Sequence, residues 1–392
     1  MIIIGSGYAG SAIARLLDFK CKVILVEQYD AMWHKYCTMR ALVVPGWEDA
    51  ALVPLDKALK QGKLLHKEVT FVDVSAKSVT FADGTTMVGD YIVLANGGGN
   101  GNLPSGIPAG VTNAATFKAT LSQKQVLVKE ADTILVVGGG PVGVELSGEI
   151  KAQYPDKKLV LVHNGPKILN SSQPPMIGKF IDKVEARLKS MGIDLKTNVR
   201  VTNLPEISQQ DGFVAGSNEY VLSDGSKVRA DLLIVCFSKV EKKKIVSEKY
   251  LDSGSHHSLT HSLTHSLTHS DGRVKVDSCL RVEGASDVFC IGDANNLAET
   301  KLGYYAGLHA ELTAKNIRKL FAGSTNLTPY VLSGGAKEVG NMFIPLGPHK
   351  GVSALQTTIL GDGNTRLIKG KGLFTKKVFS SVDAAAPTHL FN

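Results

Sequence analysis

Two glycine patterns stand far apart in this chain: Gly5-Ser6-Gly7-Tyr8-Ala9-Gly10 at the start and Gly138-Gly139-Gly140-Pro141-Val142-Gly143 near the middle. Both read G-x-G-x-x-G, and each follows a short apolar run and opens a helix-compatible segment. The backbone N–H groups of such a turn, backed by a helix N-terminus, hold a pyrophosphate. Two dinucleotide sites in one chain imply an electron relay. One nucleotide is then a resident flavin and the other a visiting nicotinamide.

The residues after each loop sharpen this. Glu27 closes the apolar run Val23–Val26, twenty residues past Gly7. A carboxylate there accepts hydrogen bonds from both hydroxyls of an adenosine ribose. The corresponding position of the second unit is His163, after Leu161-Val162. It offers no acid to select a 2′-hydroxyl and no arginine to grip a 2′-phosphate, and the nearest basic residue is Lys167. The second site is therefore expected to take NADPH or NADH, with a mild lean to NADPH. A third signal is Gly292-Asp293 after Val288–Ile291. In a flavoprotein such an aspartate meets the ribityl chain or pyrophosphate. A helix expected to start near Ala306-Gly307 would aim its positive end at the flavin's pyrimidine edge.

Other chemistries find less support. The five cysteines (Cys21, Cys37, Cys236, Cys279 and Cys290) are odd in number and include no C-x-x-C pair. That favours free thiols in a reducing compartment. Cys37 has no second cysteine nearby in sequence, so flavin-linked disulfide reduction is a poor alternative. No Ser-His-Asp set is evident. His257, His261, His265 and His269 recur every fourth residue within a His-Ser-Leu-Thr repeat. On a helix they would share one face and could ligate a metal. Ser and Thr disfavour helix there, and no carboxylate or Cys completes a ligand set. The expectation is an expanded surface loop and no metal.

The elements that must position these residues follow the βαβ pattern. Ile2–Ile4 reads as a buried strand, 11–18 as an amphipathic helix, and Val23–Val26 as the next parallel strand. Residues 67–81 alternate as strand before an Asp83-Gly84 turn, and 91–95 is a further buried strand. Residues 100–112 read as a linker rich in Gly, Pro and Asn. The second unit runs through strand 133–137, a helix to about Gln153, strand 158–162, helix 175–191 and strand 231–236. Strand 288–291 and helix 304–320 return to the first unit. The expected fold is α/β, with two Rossmann-like dinucleotide-binding domains and a small α+β C-terminal domain. The nicotinamide domain is inserted in the FAD domain. The boundaries expected are 1–102 and 273–325 for the FAD domain and 103–238 for the nicotinamide domain. A variable loop covers 239–272, and the C-terminal domain covers 326–392.

The chain has 392 residues, room for two or three domains. Its hydrophobic content of 43% marks a globular chain, yet no apolar run is long enough to span a bilayer. No signal peptide is read, because Met1–Ile4 leads straight into a glycine loop, and Ile2 after Met1 gives no N-myristoylation signal. A cytoplasmic protein is expected. The net charge of +8 favours anionic partners. One basic cluster is 239–244. Another, Lys369–Val378, interleaves lysines with Leu373 and Phe374 and suggests peripheral docking on an anionic membrane or lipid-droplet surface. Nucleic acid is the other anionic partner that charge alone suggests. The rival to an enzyme is thus a redox-sensing or signalling flavoprotein that binds nucleic acid or a membrane with little turnover.

The order of parts resembles the flavoproteins with two dinucleotide-binding domains. Within them the chain resembles the apoptosis-inducing-factor-like quinone reductases, most of all the ferroptosis suppressor protein group. The residues that carry this are Gly138–Glu145, Glu149–Lys157, Cys290–Ala294, Lys301–Ala310, Pro345-Leu-Gly-Pro, Gly351-Val and Lys369–Phe374. The likeness covers nearly the whole chain apart from the repeat. It implies FAD-dependent NAD(P)H:quinone oxidoreduction, with a ubiquinone-type or naphthoquinone acceptor. By this resemblance Gly5, Gly7, Gly10, Glu27, Gly292, Asp293 and the Ala306 helix start hold FAD, and Arg40 lies near the flavin. Gly138, Gly140, Gly143 and Glu145 hold the nicotinamide cofactor. Lys301 lies against the flavin, where a cation would stabilise the reduced ring. Tyr304 and Tyr305 either border the quinone pocket or pack in the core. Two departures stand out. Asn96 replaces the family's threonine in Ala-Thr-Gly, and Phe237-Ser238 replaces a second Thr-Gly, bringing side chains where glycine allows close approach.

Overall fold

A computed structural model describes residues 1–99, 104–108, 110–170, 175–205, 212–237, 244–252, 272–332 and 341–391. The His-Ser-Leu-Thr repeat, Ser238 and most of the 239–244 cluster lie outside the described residues.

The first sheet is parallel throughout, in the order 288–290, 92–94, 2–4, 24–27, 63–66. Its central runs Ile2–Ile4, Ile92–Leu94 and Val288–Cys290 are buried at every position. Covered on both faces, these strands need apolar residues without alternation. Each fully buried Ile or Phe of this sheet contributes roughly 1.5–3 kcal/mol through burial. Strand Ile2–Ile4 has neighbours on both sides that come from different parts of the chain. Such a switch point leaves a crevice at the strand's carboxyl end, and the first glycine loop sits there.

Helix α1, Tyr8–Leu17, follows that loop directly. It begins three residues earlier than its apolar spacing suggests, since Gly7 rather than Asp or Ser stands at its N-cap. Strand Ile24–Glu27 comes next, and helix α2, Lys35–Ala41, follows.

The second sheet runs 193–196, 158–162, 133–137, 227–235, 213–221, with only the last strand antiparallel. Here the switch point is strand Thr133–Val137, and helix α3, Pro141–Gln153, leaves the second glycine loop from it. The chain enters and leaves this sheet between two strands of the first, so the two dinucleotide-binding folds are nested as expected.

Helix α4, Gly303–Phe321, packs along α1. The C-terminal strands Asn341–Leu346, Lys350–Leu355 and Thr358–Leu360 form an antiparallel sheet. Rather than hanging off the fold, this sheet shares one continuous apolar core with α3 and the second sheet, through Ile344, Leu346, Val352 and Leu146. Contact with α3 is so close that a side chain on Gly148 would strike the Leu346 backbone at 2.5 Å.

Candidate active site

The first glycine loop divides its work among three positions. Gly5 has φ +96°, and a Cβ there would meet the Ala95 carbonyl at 2.6 Å. A Cβ on Gly10 would run into the Gly5 carbonyl, whereas one on Gly7 would meet nothing within 4 Å. Gly5 and Gly10 therefore let helix and strand close up, and Gly7 keeps a surface bare for a ligand. Gly138, Gly143 and Gly140 repeat this division in order: Gly138 has φ +119°, Gly143 abuts Gly138, and Gly140 faces open space.

A cavity of about 390 Å³ opens beside the first loop. It is lined by Gly5–Gly7, Glu27, Lys35, Asn96, Gly97, Val246 and Leu251, among others. Glu27 stands at its wall. Its carboxylate accepts the Ser6 N–H and the Ser6 hydroxyl, both at 2.8 Å, and the Tyr29 N–H at 3.2 Å. The carboxylate is thus held at the loop, where a ribose would present its hydroxyls. Lys35 adds a cation to the same wall. Burial pulls its pKa down, and Asp293 partly offsets this. Bare backbone donors, a fixed acid and a cation in one cleft fit the dinucleotide of FAD.

Asp293 lies within electrostatic reach of Lys35, Tyr8 and Tyr36. It follows Gly292, whose φ of +68° makes the turn. The helix start expected near Ala306 is corrected here. Helix α4 begins at Gly303, whose N–H is held by the Tyr36 hydroxyl at 3.0 Å. The Ala306 N–H already donates to Leu302 O at 3.1 Å, so it is no ligand donor. The helix leaves the Tyr304 and Tyr305 N–H groups without intrahelical partners instead. Ala306 serves by being small, since it lies under the Gly292 turn. Tyr304 is 58% exposed, which removes core packing as its role, and Tyr305 is half-buried beside it. Lys301 donates to Asn295 Oδ1 and Leu297 O, each at 3.0 Å. Burial, foremost, brings its pKa down to about 8.

Two buried ion pairs fasten α3 to the rest of the molecule. Arg40 is buried with its charge already paired. Its guanidinium grips Glu149 in bidentate fashion at 2.8 and 2.9 Å and donates to Gly370 O and Lys371 O. It also stacks over Trp47 at 4.5 Å. A carboxylate as buried as Glu149 requires such a partner. Glu145, one helical turn away, is buried against Lys369 Nζ at 2.8 Å. Burial raises the Glu145 pKa, with Lys369 opposing. Lys369 also donates to Phe343 O and lies 5.0 Å over the Tyr36 ring. A widened π-type turn, Arg366–Gly370, delivers it there. Beside this pair, Tyr8 donates to His34 Nδ1 at 2.8 Å, and His34 Nε2 contacts Leu373 O at 3.0 Å.

The C-terminal basic segment is therefore not exposed along its whole length. Lys369 is spent on Glu145, and Leu373 and Val378 point into the core. Only the lysines at 371, 376 and 377 face outward.

At the second loop, His163 Nδ1 accepts the Gly139 N–H at 3.3 Å, and Nε2 meets Asn170 Oδ1 at 3.1 Å. Lys167 is committed to Asp182 and Glu185 at 2.8 and 3.2 Å. Phe237, in the departure noted above, is half exposed.

All five cysteines are free. Cys37 is buried against Thr375 Oγ1, and burial pushes its thiol up to about 12. Among the described residues, no three or more His, Cys, Asp or Glu side chains gather as a metal site would need. No described helix is long and apolar enough to cross a membrane.

Sequence reading alone missed Ser6, Lys35, His34 and Lys369. Lys369 stood in a basic run and in a family motif, but neither showed its partner, which is remote in sequence.

Two nested dinucleotide-binding folds, each with an intact glycine cradle, define a flavin- and nicotinamide-dependent oxidoreductase. The chain belongs to the pyridine nucleotide-disulphide oxidoreductase family, whose model matches residues 1–307. It is 31% identical to apoptosis-inducing factor homolog B of Dictyostelium discoideum, across 99% of this chain and 97% of that one. It is 27% identical to ferroptosis suppressor protein 1 of Xenopus tropicalis, across 99% and 96%. Its fold is similar to that of the sulfide:quinone oxidoreductase from Aquifex aeolicus. That match has a TM-score of 0.71 and 16% identity and covers 99% and 92% of the two chains. The resemblance read from the motifs is thus borne out. The cofactors are FAD and NAD(P)H.

Proposed function

We propose that this oxidoreductase passes electrons from NAD(P)H through FAD to a quinone of the ubiquinone or naphthoquinone type. The observation that carries this is the state of the thiols. The family name includes disulphide chemistry, yet no two cysteines here are paired, and Cys37 is buried with a raised pKa. Electrons must then leave the flavin directly for a diffusible acceptor. A quinone suits that exchange, and the names of the relatives and of the sulfide:quinone oxidoreductase support it.

The chain's own residues prepare the site. The first loop and the N-terminus of α1 take the FAD pyrophosphate, Glu27 the ribose, Lys35 the phosphate charge, and Asp293 the ribityl end. The second loop and α3 take the nicotinamide dinucleotide, with His163 at its ribose. Glu145 and Lys369 balance each other at the junction of α3 and α2, so no net charge is buried there. Lys301 and the first N–H groups of α4 offer positive charge toward the flavin. Tyr304, exposed at that helix start, borders the way in for the quinone. Bound FAD supplies the hydride acceptance and the electron release.

The test is an anaerobic titration of FAD-loaded protein with NADH and NADPH in parallel, followed by a soluble quinone. Bleaching of the flavin absorbance and its recovery on quinone addition are expected. A flavin that bleaches but stays reduced in the presence of several quinones would overturn the acceptor assignment.

A further inference from the structure

Behind the Gly292–Asp293 turn lies a buried polar network whose His309, Glu299 and Tyr330 have no part in the roles assigned above. The Gly292 N–H donates to His309 Nδ1 at 3.0 Å. An acceptor at Nδ1 fixes the tautomer, so the ring's hydrogen is on Nε2. Nε2 sits 2.7 Å from Glu299 Oε1, at ion-pair distance but without hydrogen-bond geometry. The other Glu299 oxygen accepts the Tyr330 hydroxyl at 3.0 Å, and the Tyr330 ring stands edge-on to the imidazole. Asn295 reaches the same Nδ1 at 3.4 Å and accepts from Lys301 at 3.0 Å. His309 is 1% exposed and Asn295 0%.

The arrangement has a direction. Gly292 is in the left-handed region, and its N–H points inward to the buried imidazole. An inward N–H without a partner would be costly, and the turn would relax to expose it. His309 removes that cost, and the Glu299 carboxylate beside Nε2 favours the tautomer able to do so. Asp293 is the next residue, so the aim of its backbone and carboxylate follows from the bond behind it. Through Asn295 the same imidazole also fixes the anchor of Lys301.

We propose that Glu299 and His309 are positioning residues of the flavin site, a carboxylate–imidazole pair that sets the Gly292–Asp293 turn for FAD. This rests on FAD occupying the first dinucleotide fold.

The experiment measures FAD affinity by quenching of flavin fluorescence on apoprotein, alongside the apoprotein's melting temperature. Wild type comes first, and a wild-type protein that binds no FAD would refute the cofactor reading itself. The decisive comparison is His309→Asn against His309→Gln. An Asn amide oxygen falls near the Nδ1 position and keeps the acceptor for Gly292. A Gln amide falls near Nε2 and keeps only the contact with Glu299. Positioning therefore predicts that Asn retains FAD within about threefold while Gln loses about tenfold or more, the scale of one orphaned buried N–H. Packing alone predicts the reverse order, because Gln is nearer to His in volume. Equal losses, or losses that merely track the melting temperature, overturn the proposal. Should the His309 variants fail to fold, Glu299→Gln and Glu299→Leu decide. Gln keeps an acceptor for Nε2 and should hold FAD within about twofold, whereas Leu should weaken it about fivefold. Equal affinity of those two variants overturns the proposal as well.

Discussion

Glu145 and Lys369 meet at 2.8 Å across 224 residues of sequence, one on the helix of the second glycine loop and the other near the chain's end. Both are buried. Breaking such a pair from one side leaves an uncompensated charge, at a cost of about 3–5 kcal/mol. Lys369→Met and Glu145→Leu should each destabilise by that order in urea unfolding. The double variant should be more stable than the sum of the two predicts. Strict additivity would show that the charges do not interact.

His34 should contribute to acid sensitivity. It is buried as the neutral imidazole, and burial lowers its pKa to about 3 from an ordinary 6.5. The unfolded chain therefore takes up a proton below pH 6.5 that the folded chain refuses until about pH 3. Stability is lost as pH falls through that window, by up to about 1.4 kcal/mol per pH unit. A His34→Gln variant should have lower stability at pH 7 but a shallower loss between pH 6 and pH 4. A slope equal to wild type in chemical denaturation at each pH would refute this.

The second nucleotide site should be convertible. His163 supplies neither the acid that selects NADH nor a charge that selects NADPH, and Lys167 is engaged elsewhere. Wild type should use the two within about threefold of each other in kcat/KM. A His163→Glu variant would accept the 2′-hydroxyl and repel a 2′-phosphate, and should favour NADH by roughly tenfold or more. An unchanged ratio would place the adenosine ribose away from this residue.

Cys37→Ser should leave quinone reduction within about twofold of wild type. Its thiol is sealed against Thr375 and held protonated by burial, so it has no route to a substrate. A loss of flavin reoxidation in this variant would return the protein to disulfide chemistry.

What the sequence revealed and what it hid divide along range. The glycine loops, Glu27, His163 and the strands beside them were legible because a loop, its helix and its acid are neighbours in sequence. The ligand-facing start of α4 was set three residues late at Ala306, whereas Gly303 is held by the hydroxyl of Tyr36, 267 residues away. The partner of Arg40 was hidden, because a lone arginine in a motif says nothing of what it pairs with. Glu149, 109 residues on, decides where it points. Lysines interleaved with Leu373 and Phe374 looked like a docking stripe. Spacing alone could not tell that Leu373 turns inward and that Lys369 answers a buried carboxylate.

The shared core of the C-terminal sheet and α3 bears on how the protein is made. The strands of the second sheet are complete by Val235, yet Glu145 waits without its cation until Lys369 has left the ribosome. Until then Glu145 lacks Lys369, and an apolar face waits for Ile344 and Leu346 to cover it. Synthesis order thus makes the end of the chain a checkpoint. A stop codon before residue 369 would spare every glycine of both cradles and still leave the second one unfinished.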